Sequence, residues 1–170
     1  MKISVIGAGS WGTALGFVLA SNGHHVMMHT RNESVQQAIS AQHINTRYLP
    51  NITLPTLVHA TTSIKEALTS ADVVLFVVPS HAIRASAKEV KPYLTGSEKI
   101  IHATKGFEVE SGKRMSEVLH EELACAVSVI SGPSHAEEVV KKLPTTVTVA
   151  SADQETRLFF QNLLKETIQM

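Results

Sequence analysis

Met1–Gly12, MKISVIGAGSWG, is the stretch that decides the fold. Lys2–Ile6 is a short β-branched run that reads as a buried strand, and Thr13–Ala20 (TALGFVLA) is apolar at helical spacing. Between them Gly7, Gly9 and Gly12 stand in the order G-x-G-x-x-G. Strand, glycine turn and helix in succession form a cradle for the pyrophosphate of a dinucleotide. Gly7 permits the tight turn off the strand, Gly9 lets backbone approach the phosphates, and Gly12 lets the helix lie close on the strand. The helix N-terminus contributes unpaired N–H groups and the positive end of its dipole.

Working outward, strand and helix patterns alternate to the end of the chain. Asn22-Gly23 stops the first helix, and His25–His29 (HVMMH) reads as a second strand. Val35, Ala38, Ile39 and Gln42 share one face of a second helix. His43 to Pro55, with two prolines and several Asn and Thr residues, reads as a long loop, and loops of that length are usually functional or mobile. Leu57–Ala60 is a brief strand, and Ser63 with Glu66 matches a capping box for a short helix. Asp72–Val78 (DVVLFVV) is apolar on both faces, as the middle of a parallel sheet requires. Pro79-Ser80 opens a helix through Ile83, Ala87 and Val90. Lys99–Thr104 is a strand, and Met115, Val118, Leu119 and Leu123 form a helical stripe. Val127–Ile130 and Thr145–Ala150 are further strands. Ser134 with Glu137, and Ser151 with Gln154, match caps for the two helices that follow them, the second running through Leu158, Phe159 and Leu163. This alternation predicts an α/β fold: a Rossmann-like, doubly wound, mostly parallel sheet with helices on both faces. Ligands then sit at the carboxyl ends of the strands, which nominates Gly7–Gly12, His29–Arg31, Pro79–His81, Lys105–Gly106 and Gly132–Ser134.

The 170 residues fit one dinucleotide-binding domain, and 44% apolar residues suit a packed core. Lys plus Arg and Asp plus Glu both number 15, so no net field favours nucleic acid or an anionic membrane. No stretch approaches the roughly 20 apolar residues that span a bilayer, and no signal sequence heads the chain; a cytoplasmic protein is expected. One cysteine, Cys125, excludes an internal disulfide. Nine histidines invite a metal reading. His24 and His25 are adjacent and point apart in a strand, while His81, His102 and His135 lack Cys or carboxylate partners at ligand spacing, so no metal is expected.

The end of the second strand discriminates between dinucleotides. An Asp or Glu there would bond the ribose 2′-hydroxyl of NAD, whereas this chain has His29-Thr30-Arg31-Asn32, with no carboxylate until Glu33. Arg31 can pair with a 2′-phosphate through its guanidinium fork, which favours NADPH while allowing NAD. The other reading of Arg31 is a solvated surface charge. Lys105 follows a strand and precedes Gly106, where it can reach a phosphate or carboxylate. SGPSHAEEV (Ser131–Val139) sets Gly132, Ser134 and a helix N-terminus at another strand end, a second anion nest. These features point to a small phosphorylated or acidic substrate. Spacing alone leaves open that Lys105 is solvated and Ser134 merely a cap.

GAGSWGTAL, HTRN, INTRYLPN, VVPSHAIR, ATKG and SGPSHAEEV occur in the order found in bacterial NAD(P)-dependent glycerol-3-phosphate dehydrogenases, and the chain resembles their cofactor-binding domain over nearly its whole length. The resemblance implies that Ser10, Trp11, Arg31, Lys105 and Ala136 contact the cofactor, and that Lys105, Gly132 and Ser134 contact glycerol 3-phosphate or dihydroxyacetone phosphate. It implies reversible reduction of dihydroxyacetone phosphate to sn-glycerol 3-phosphate, a precursor of phospholipids. Family members carry a further helical domain with a catalytic lysine, and leave room for a homodimer of the longer protein. By the same comparison no catalytic residue is expected within these 170 residues, Lys165 being no credible replacement. The chain is expected to be a cofactor-binding fragment, poor in turnover, with Glu166–Met170 beginning another strand. Two other readings remain at this point: a related dehydrogenase of 3-hydroxy acids, and a non-catalytic dinucleotide-binding module.

Overall fold

In the computed structural model, which describes residues 1–165, the helices and strands run β1 (Lys2–Ile6), α1 (Ser10–Ser21), β2 (His25–His29), α2 (Glu33–Gln42), β3 (Ile44–Asn45), β4 (Leu49–Thr53), β5 (Val58–Thr61), α3 (Ile64–Leu68), β6 (Val73–Phe76), α4 (Ile83–Val90), β7 (Lys99–His102), α5 (Met115–Leu123), β8 (Val127–Ser131), α6 (Ala136–Val140), β9 (Thr148–Ala150) and α7 (Gln154–Leu164). The strand expected over Glu166–Met170 lies outside the described residues.

Seven strands form one sheet in the order β5-β2-β1-β6-β7-β8-β9. All pairs are parallel except β8 with β9. Leaving aside the β3–β4 pair, this is the doubly wound order 3-2-1-4-5-6 with one antiparallel strand appended. The order reverses at β1, which is registered on β2 from Lys2↔His25 to Ile6↔His29 and on β6 from Ile3↔Val73 to Ile6↔Phe76. A crevice therefore opens beyond the carboxyl ends of β1 and β6.

Alternation along the central strands fills both faces. Ile3, Val5, Val73, Leu75 and Ile101 pack with residues of α1, α2, α6 and α7, while Ile6, Val74, Phe76 and Ile100 pack with residues of α3, α4 and α5. A fully buried side chain of this size contributes about 1.5–3 kcal/mol. Both faces being covered explains why β6 reads as a continuous apolar run.

Several local expectations need correction. The segment 43–55 is no structureless loop: β3 and β4 pair antiparallel, and Asn45, Leu49 and Leu54 are buried. β6 ends at Phe76, because β1 there breaks into the glycine turn and ceases to offer a ladder partner; Val77 keeps one bond, from its N–H to the Ile6 carbonyl at 2.9 Å. The last strand is regular only over Thr148–Ala150. The cap of α7 is Asp153, whose carboxylate accepts from the Thr156 N–H at 2.7 Å, rather than Ser151. The cap position of α6 is His135 rather than Ser134. The Ser63 hydroxyl does accept from the Glu66 N–H.

One buried group carries a pH signature. His102 on β7 is 4% exposed, and neither ring nitrogen has a hydrogen-bond partner among the described residues. Burial pushes its pKa down to about 4 from 6.5, the Thr104 backbone offsetting part of the effect. Because the folded value lies below the unfolded one, the neutral ring's contribution is intact above about pH 6.5 and is lost as pH falls toward about 4. The loss is expected to reach up to about 3 kcal/mol. Urea midpoints of wild type and His102→Phe, compared between pH 7 and pH 4, check this: the variant should lose distinctly less stability.

Candidate functional site

The glycine turn sits at the point where the strand order reverses. Gly7 has φ +116° and donates its N–H to the His29 carbonyl at 3.1 Å. A Cβ on Gly7 would lie 2.5 Å from the Val77 carbonyl oxygen, and one on Gly12 would lie 2.1 Å from the Gly7 carbonyl oxygen. Strand, turn and helix are thus in direct backbone contact, as the spacing requires. Gly9 differs: a Cβ there would meet no described atom within 4 Å, because Gly9 faces the open crevice. It also stands at the cap position of α1, where no described side chain satisfies the amides and no acidic residue occupies the first turn. A twelve-residue helix with a bare positive end, beside a cradle that a single methyl would obstruct, fits an anion such as a pyrophosphate.

The β3–β4 hairpin holds this turn in shape. Asn45, fully buried, donates from Nδ2 to the Ala8 carbonyl at 2.9 Å and to Thr13 Oγ1 at 2.8 Å. Its Oδ1 accepts from the Tyr48 N–H at 3.2 Å, and Ser10 Oγ donates to the Tyr48 carbonyl at 2.8 Å. Asn45 and Tyr48 were missed as site residues; the polar character of INTRYLPN was the available signal.

Two clefts of about 460 and 450 Å³ adjoin at the turn and share Gly9, Val77, Val78 and Pro79. Each falls in the usual range for a small-molecule site. The first brings together Gly9, Ser10, Trp11, Gly12, Lys105, Ser134 and Ala136 from three separate segments. Lys105 is exposed, and its ammonium donates to the Gly132 carbonyl at 3.0 Å; Ser134 Oγ reaches the same carbonyl at 3.4 Å. Gly132 backs these two side chains, and a Cβ on it would stand 2.8 Å from the Thr146 carbonyl. The backbone beyond Lys105 is pinned by Glu108, whose two oxygens accept from Arg84 at 2.7 and 2.8 Å. Those bonds hold the Glu108 carboxyl down at about 2, with Ser111 adding to the effect.

The second cleft holds Gly7, Arg31, Tyr48 and Asn32 at the end of β2. His29, where a carboxylate often stands, is buried, and burial pushes its pKa below 6.5, with Arg31 adding to the shift and Glu89 opposing it. The imidazole is therefore neutral at pH 7. Arg31 is exposed, and its guanidinium meets the Glu89 carboxylate of α4 at 3.0 Å. Glu89 is a site residue that sequence reasoning missed, being 58 positions from Arg31. Cys125 is half-buried away from both clefts, and burial pushes its thiol up. Among the described residues no group of three or more His, Cys, Asp or Glu side chains converges, and no helix is long and apolar enough to cross a membrane.

Comparison with known proteins identifies the family. A glycerol-3-phosphate dehydrogenase [NAD(P)+] of Shouchella clausii is 47% identical over 167 residues, covering 95% of this chain and 49% of that protein. Solved structures of glycerol-3-phosphate dehydrogenases superimpose over 99% of the chain. That of Coxiella burnetii does so at TM-score 0.93, with 35% identity and 52% of its own length, and that of Plasmodium falciparum at TM-score 0.93, with 26% identity and 51% of its own length. The chain thus spans about half the length of the relatives it matches. Residues 2–157 match the family described as NAD-dependent glycerol-3-phosphate dehydrogenase N-terminus, and the chain belongs to that family.

Proposed function

We propose that this chain is the cofactor-binding half of an enzyme that reversibly reduces dihydroxyacetone phosphate to sn-glycerol 3-phosphate with NADPH or NADH, in the cytoplasm, for phospholipid synthesis. The observation that carries the reading is the turn at the sheet's reversal point, open at Gly9 and backed by the bare end of α1. Family membership supplies the substrate class, since the relatives named above are glycerol-3-phosphate dehydrogenases.

The residues divide the work. The amides around Gly9, Ser10 and Trp11 hold the pyrophosphate, and Arg31 receives the adenosine end. Lys105, Ser134 and Ala136 border the opposite cleft. The nicotinamide, when bound, supplies the hydride chemistry. Lys105 offers a cation to a substrate phosphate or polarised carbonyl, held in place by the Gly132 carbonyl until substrate takes over that bond. Neutral His29 adds no positive charge at the adenosine end, which leaves Arg31 as the cation there.

Trp11, the single tryptophan, lines the cleft and gives a direct readout. Titration with NADPH is expected to quench its fluorescence saturably. Arg31→Ala should weaken NADPH by about tenfold, the value of one charge-assisted hydrogen bond, and NADH far less. Equal losses for the two cofactors would remove Arg31 as the 2′-phosphate ligand, and the absence of any binding would overturn the cofactor reading.

A further inference from the structure

We propose that Glu89 is a specificity-determining residue which opposes Arg31 at the 2′ position of the bound dinucleotide, so that the site accepts both phosphorylated and unphosphorylated forms. This rests on the reading of the second cleft as the adenosine end of a dinucleotide site.

Three observations carry it. Glu89 and Arg31 line the same cleft, their charged groups 3.0 Å apart across it. Ala82, Ser86 and Glu89 occupy one face of the turn and helix that form the wall opposite β2, at spacings of four and three residues, so Glu89 is presented to the cleft by helix geometry. Finally, β2 ends in the buried His29 instead of a carboxylate, and among the described residues lining this cleft the only carboxylate is Glu89.

The chemistry follows from charge. A 2′-phosphate must take Arg31 away from Glu89 and then tolerate a carboxylate beside it. The exchange is feasible, because the Arg31 side chain is 68% exposed and exposed ion pairs are weak. The residual like-charge repulsion still lowers affinity for NADPH. With NADH there is no phosphate to claim Arg31, and Glu89 can accept a hydrogen bond from the ribose 2′-hydroxyl, the service that a carboxylate at the end of the second strand performs elsewhere. One residue thus subtracts from NADPH binding and adds to NADH binding, while Arg31 does the reverse.

Glu89→Gln keeps the shape and removes the charge. Titrating wild type and variant with NADPH and with NADH, followed by Trp11 fluorescence, is expected to show the ratio of NADPH to NADH affinity rising about fivefold in the variant, with the melting temperature unchanged. Glu89→Ala, which lacks the acceptor as well, should show a larger shift through further loss of NADH affinity. Wild-type binding combined with an unchanged ratio in both variants overturns the role of Glu89 alone. A wild-type protein that binds neither cofactor overturns the site reading and this inference together.

Discussion

Gly12→Ala is expected to destabilise the protein by about 3 kcal/mol or more and to abolish dinucleotide binding. Overpacking of a core usually costs about 1–3 kcal/mol, because neighbouring side chains move aside. Here the new methyl would stand 2.1 Å from the Gly7 carbonyl oxygen, and that carbonyl belongs to a turn whose other side already touches Val77. Relief requires moving α1 away from β1, which opens the core around Leu15 and Val18 and dismantles the cradle. Thermal unfolding should show a fall of roughly 6–12 °C for a domain of this size. Gly9→Ala is the informative partner. Its backbone φ is −74° and no described atom lies within 4 Å of the added methyl, so the melting temperature should stay within error. Cofactor affinity should nevertheless fall at least about tenfold, because the methyl occupies the space through which phosphates approach. A Gly9→Ala protein that binds NADPH normally would place the pyrophosphate elsewhere.

Asn45→Asp should be nearly as damaging despite the identical shape of the two side chains. The amide nitrogen donates to Ala8 and Thr13 at 2.9 and 2.8 Å in a fully buried position. A carboxylate offers no donor and sets a negative charge against the Ala8 carbonyl. An uncompensated buried charge of this kind costs about 3–5 kcal/mol. The sign of its pH dependence is also fixed. Protonation returns one O–H donor, so the gap between variant and wild type should narrow as pH falls toward 5. Urea midpoints of both proteins at pH 7 and pH 5 measure this directly. A constant gap would mean that packing of the hairpin, rather than the donor, holds the turn.

The same residue shows where reading the sequence stops. Strand β1, the glycine turn and α1 are legible because their signals are local: an apolar run, three glycines and a helical stripe within 20 residues. The strand order follows from the β-α alternation and the handedness of parallel crossovers. Asn45 lies in a stretch rich in Pro, Asn and Thr that reads as a loop, and its partners are 37 and 32 positions away. Nothing nearby tells that it is buried. Caps fail for a different reason: Ser, Thr, Asp and Asn serve interchangeably, so Ser151 and Asp153 compete within three residues, and only the path of the backbone selects Asp153. No carboxylate follows β2 before Glu33, whereas Glu89 reaches Arg31 from α4 across the cleft. Gly7, Gly9 and Gly12 were readable as residues. That two of them are pressed against backbone and one faces open space was not.

The central place of β1 has a consequence for the order of assembly. It precedes both of its neighbours in the sequence, and these are β2 and β6, the latter ending at Phe76. Residues 2–61 suffice for the β5-β2-β1 half of the sheet, but one edge of β1 stays unpaired until β6 has been made. Parallel pairing across such separations is slow, because the intervening chain must be ordered first. A nascent or truncated chain that stops short of Phe76 therefore presents an unpaired edge of β1, with Ile6 still lacking α4 and α5 to cover it. That interval is when the protein is most exposed to aggregation and most dependent on chaperones.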